Sequence, residues 1–202
     1  MALQLFATRI SEADISSDNF RPVMAEIAAH RDAFALSAAF GALSIACLVP
    51  IIVGIWESAE AQDRPFVVMV GLFMLIAGVL LLDAYAHQGN LVGTASDYLN
   101  TPGQRDIIVL QGDQMGDQAQ ILEYAGLVAF GLGLLLWSWL MTRSSVYSKA
   151  MSWLTWGLGL LCFASVIQPA PMIVVRLVWA FALGAVWLRA DAPGAVIEAE
   201  PS

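Results

Sequence analysis

Lysine is nearly missing: Lys149 is the only one in 202 residues, and 9 cations stand against 17 acids for a formal net charge of −8. Phosphate recognition needs clustered Lys and Arg, so this balance excludes a nucleic-acid partner. It also excludes a Schiff-base lysine deep in a core, because Lys149 falls at a helix end. Histidine occurs only as His30 and His87, which leaves no three-His zinc set and no His-rich di-iron pattern. Cys47 and Cys162 lie in apolar runs at different depths, so no disulfide is expected and each reads as a small buried hydrophobe. Nucleophile elbows and phosphate-binding loops are absent, and no motif implies a cofactor. No apolar core of signal-peptide length precedes Glu12, Asp14 and Asp18, so no cleaved targeting segment is expected.

The chain is rich in apolar surface instead. Apolar residues make up 59% and charged residues 13%, and the long runs show no polar stripe at the helical period. A lipid-facing surface resolves that excess. The reading is an all-α integral membrane protein, a bundle of about five transmembrane helices within 33–188, each run near the length that spans a bilayer. The spans fall at 33–56, 65–86, 120–141, 150–167 and 172–188. Pro50 removes a backbone hydrogen bond near the end of the first span and bends it, and Pro65 opens the second. Gln168-Pro169-Ala170-Pro171 forces a reversal before the fifth.

Residues 1–32 read as an N-terminal tail and interfacial helix. Phe20, Val23, Met24 and Ile27 recur there at helical spacing, behind caps at Ser17, Asp18 and Asn19 and with Pro22 in the first turn. Residues 87–119, rich in Gly, Asp, Gln and Asn, read as an extramembrane loop. Leu91 to Leu99 is a short surface helix within it, Gly112 to Asp117 a set of turns, and Ile107 to Leu110 a patch lying on the membrane or the bundle. The tail 189–202 reads as disordered. Small residues at helical spacing, Ala125/Ala129/Gly133, Ala180/Gly184 and Ser37/Gly41, permit close helix approach.

Alternation puts the N-terminal region, the long loop and the Pro-rich reversal at one end, the loop face. Arg64, Arg143, Lys149 and Arg189 hug helix ends at the opposite face, while Arg9, Arg21, Arg31 and Arg105 on the loop face lie mostly farther out. The positive-inside rule then points to a cytoplasmic C-terminus, in a bacterial inner membrane. Trp56, Trp137, Trp139, Trp153, Trp156 and Trp187 gather near that opposite face as an interfacial belt.

Arg176, inside an apolar helix, is the sharpest chemical signal, because a charge within a span faces a partner or a cavity. Asp83 and Glu123 lie at similar depth and are its candidate partners as ion pair or ligand site. The plainer alternative is a structural pair, or an Arg that snorkels to the interface. Asp83 and His87, at i and i+4, share a helix face, and His30 and Glu123 approach the same side. Together these four are candidates for a transition-metal site. Glu123 with Tyr124, or Asp83 with His87, would serve as acid and base.

The helix start Lys149-Ala150-Met151-Ser152-Trp153-Leu154-Thr155-Trp156-Gly157-Leu158-Gly159, after a basic-flanked turn, is similar to a "Trp-Leu-Gly-Trp-Leu-Gly" start. On it the membrane part of the chain resembles small polytopic bacterial membrane proteins of unknown function. That resemblance implies no activity and transfers no site residues. The preferred expectation is a non-catalytic membrane protein, a packing or accessory subunit or a binder of a small lipophilic molecule. Its partners would be lipids, other membrane subunits or further copies of itself. A small transporter or proton-coupled channel using Asp83, Glu123 and Arg176 is the alternative, and a membrane-embedded metal-dependent enzyme is the third reading.

Overall fold

The computed structural model describes residues 20–46, 48–57, 63–144, 147–167 and 185. Among them no strand occurs. The helices are α1 (Phe20–Ala29), α2 (Arg31–Ala46), α3 (Leu48–Glu57), α4 (Arg64–Asn100), α5 (Arg105–Arg143) and α6 (Lys149–Ile167), with a 3-10 turn at Pro102–Gln104. Three stretches are long and apolar enough to cross a membrane: Arg31–Glu57, Arg64–Asn100 and Pro102–Arg143. They carry the first three expected spans. The fourth, 150–167, falls on α6, which is not among the three, and the fifth, 172–188, lies outside the described residues apart from Ala185, as does the tail 189–202.

Two prolines shape the first half. Pro50 has no N–H to offer the carbonyl of Ala46 and lies at the third position of α3, within the membrane-length stretch Arg31–Glu57. Pro65 occupies the first turn of α4, where a missing N–H costs nothing.

The segment 87–119, expected as an extramembrane loop with Gly112 to Asp117 as turns, is helical except at 101–104. α4 runs unbroken for 37 residues and α5 for 39. The reason is tertiary. Leu91 and Ala95 on α4 and Ile108 on α5 are buried against Phe20, Met24 and Ile27 of α1, and that burial outweighs the roughly 1 kcal/mol each helical glycine costs. Gly112 marks close approach, for an added methyl would stand 2.8 Å from Met24 Sδ and 2.9 Å from Phe20 Cε1. α4 stops at Asn100 because Thr101, which precedes Pro102, is forced out of the helical region to φ −127, ψ 71.

The same contact covers the apolar stripe of α1. Phe20, Met24 and Ile27 face the α4–α5 hairpin and are covered by it, so the apolar stripe is not free to lie on a bilayer. An exposed Arg21–Asp106 ion pair ties α1 to the start of α5.

α4 and α5 form a long antiparallel hairpin, with α2 and α3 against α4 and α6 against α5. The main core runs through the hairpin's lower half, where Met74, Leu81, Phe130, Leu134 and Trp137 are fully buried. The two hairpin helices approach closely at Gly126, where an added methyl would meet Leu81 Cγ at 2.7 Å. Of the small residues expected at interfaces, Gly41, Ala129 and Gly133 are buried, Ser37 is half-buried and Ala125 is exposed; Ala180 and Gly184 lie outside the described residues. Ser152 donates to the carbonyl of Ser138 at 2.8 Å and joins α6 to α5.

Large apolar side chains cover the outside. On α4 Phe66, Val68, Met69, Leu72, Leu75, Ile76, Val79 and Leu82 are exposed, a stripe about 24 Å long at 1.5 Å per residue. Beyond it Leu99 is the one large apolar side chain exposed on α4.

Candidate functional site

Chemistry-bearing side chains gather at the two ends of that stripe. At the loop-face end α4 carries Asp83, exposed, and His87, half-buried, one turn apart. Tyr85 is buried between them, its ring against Gly41 of α2. Glu123 on α5 is half-buried with interactions of its own. Tyr124 accepts a hydrogen bond from Gln120 Nε2 at 2.7 Å, one turn earlier on α5. His30 is exposed in the turn between α1 and α2.

The expected metal set does not assemble here. Among the described residues no three His, Cys, Asp or Glu side chains come together to hold an ion, so His30, Asp83, His87 and Glu123 do not form one group. The physical reason is rotation about the helix axes: shared depth does not make side chains on different helices converge. Arg176, with its pairing to Asp83 or Glu123, lies outside the described residues.

The opposite end holds an ion pair that sequence reasoning passed over. Asp63 precedes α4 at its N-cap but makes no capping hydrogen bond. Its carboxylate lies 3.6 Å from Arg143 Nη1 at the last turn of α5, the carboxylate side chain 11% exposed and the guanidinium side chain 46%. Arg143 also stacks over Trp139 at 5.0 Å, Arg64 over Trp56 at 5.7 Å, and Phe66 meets Trp139 edge-on at 5.1 Å. A signal for this was present: an acid directly before an Arg-Pro helix start, with aromatic residues at the facing helix end.

Beneath the ion pair, Trp137 meets Tyr147 edge-on at 5.3 Å. Its Nε1 is buried without a hydrogen-bond partner among the described residues. Thr155 donates to the carbonyl of Met151 at 2.9 Å, with Met141 Sδ 3.5 Å away. Cys162 is buried, and Cys47 lies outside the described residues. This end offers two guanidiniums at the surface and an apolar, aromatic interior.

No curated protein and no solved structure matches the chain. A family model, described as a domain of unknown function (DUF4386), matches residues 5–196. The expected likeness to proteins of unknown function thus becomes a definite membership, and the chain belongs to the DUF4386 family.

Proposed function

We propose that the chain is a non-catalytic integral membrane protein, an accessory subunit that offers its α4–α5 hairpin to other membrane subunits. One observation carries the reading. The hairpin continues for about 27 Å beyond the end of its apolar stripe, and there it has a second small core closed by α1. A bundle whose only task is to pack in lipid has no need of such an extension. Its far end leaves Leu99, Ile107 and Leu110 exposed, and apolar side chains clear of the lipid belt mark contact surfaces. Five spans in a bacterial inner membrane, with the C-terminus cytoplasmic, complete the reading.

Photo-crosslinking in native membranes tests it. A photoreactive residue at Ile107 or Leu110 is expected to give discrete protein adducts, while one at Leu75, on the lipid stripe, gives lipid adducts only. Absence of protein adducts at both hairpin positions overturns the reading. Solute flux in proteoliposomes that Asp83→Asn abolishes would favour the transporter. Stoichiometric bound metal lost on His87→Ala would favour the enzyme.

A further inference from the structure

The Trp-rich end presents two guanidiniums held by aromatic rings. Trp56 lies near the end of α3 and Arg64 opens α4; Arg143 closes α5 above Trp139. These rings and Phe66 are partly exposed, so the stacks sit at the surface. Stacking on an indole fixes the plane of a guanidinium and leaves its N–H fork free for an oxyanion. Asp63 is next to Arg64 in sequence and 3.6 Å from Arg143, but its side chain is only 11% exposed against 46% for Arg143, so the outer side of the guanidinium stays open.

Arg64 stands two residues before Phe66, the first member of the exposed apolar stripe. An anion held here therefore lies level with the end of that stripe. Any apolar chain attached to it would run along Phe66 and Met69.

We propose that Arg64 and Arg143, with Trp139 and Phe66, bind the phosphate of a membrane phospholipid, one acyl chain lying on Phe66 and Met69. The inference rests on the membrane reading above. Among the described residues of this end Arg64, Arg143 and Lys149 stand against Asp63 and Glu57, which leaves a single positive charge. This end has no broad positive field. Recognition comes from charge-assisted hydrogen bonds to the phosphate, which all phospholipids share. Headgroup charge therefore matters little.

Native mass spectrometry of the full chain, delipidated in detergent and titrated with phosphatidylcholine or phosphatidylglycerol, tests this. Both lipids are expected to bind within about threefold of each other, a small difference against the tenfold per 1.4 kcal/mol of binding energy. Arg64→Ala, which leaves the Asp63–Arg143 pair intact, should weaken both by about tenfold, the loss of one charge-assisted contact. Arg64→Lys should recover part of that loss. Arg105→Ala removes a similar stack, on Tyr98 at 5.2 Å, but at the other end of α5, and should change nothing.

Wild-type binding by Arg64→Ala, or an equal loss from Arg105→Ala, overturns the site. A preference for phosphatidylglycerol above tenfold overturns the phosphate-geometry argument, and displacement by inorganic phosphate overturns the acyl contact. Carbonate extraction separates the two readings. Release of the chain from membranes refutes the membrane reading, whereas retention with undiminished lipid on Arg64→Ala refutes only the site.

Discussion

A pair of identical substitutions separates helix formation from helix packing. Gly93 lies mid-way along the hairpin extension, and a methyl added there would meet nothing within 4 Å. Because the segment is helical, Gly93→Ala should stabilise the protein by about 1 kcal/mol, the usual helix-propensity gain. Gly126→Ala carries the same gain, but its methyl would stand 2.7 Å from Leu81 Cγ and 3.3 Å from the Leu81 backbone nitrogen. Carbon contacts prefer about 3.5–4.0 Å, and a backbone neighbour cannot rotate away. Overpacking of that kind costs about 1–3 kcal/mol. The net is a loss of about 0–2 kcal/mol, so the two variants should differ by about 1–3 kcal/mol with opposite tendencies. Reversible unfolding in mixed detergent–SDS micelles, followed by far-UV circular dichroism, measures both. A destabilising Gly93→Ala would refute the continuous helix, and a Gly126→Ala as stabilising as Gly93→Ala would refute the close α4–α5 contact.

Met24 is fully buried in the small core, so Met24→Ala should cost about 2–5 kcal/mol there. Hydrogen exchange should then rise in α1 and the hairpin extension but not in α6; uniform loss of protection would refute two separable cores. Asp63→Ala should lower stability by less than about 1 kcal/mol, because Arg143 is nearly half exposed and solvent screens the pair; a larger drop in the melting midpoint would contradict this. Replacing Trp137 with benzothienylalanine exchanges its unpartnered N–H for sulfur at equal shape. It should stabilise the protein by about 1–3 kcal/mol, and destabilisation would mean that an acceptor reaches Nε1.

The long apolar runs made the helical class and the three membrane-length helices legible, because such helices need only composition and length. Pro65 and Pro102 fall at helix boundaries for a local reason, the missing N–H and the crowding of the preceding residue. The hairpin extension was not legible. Its contact face is rich in glycine and alanine, with Gly112, Gly116, Ala119 and Ala95 buried, so it shows no apolar period, and its glycines look like turns when read one at a time.

The candidate sites divide in the same way. Sequence placed Asp83, His87, Glu123 and His30 towards one side, and that placement follows from counting along a helix. Whether such side chains meet depends on rotation, which packing decides, and the described residues assemble no metal set from them. Asp63 and Arg143, 80 positions apart, meet only because the antiparallel hairpin brings the start of α4 to the end of α5. Composition and proline placement by themselves determined that this chain is a set of long apolar helices. Only tertiary structure decided that the Gly-rich middle is helix, that α1 covers it, and which charges touch, because each rests on contacts between residues far apart in the chain.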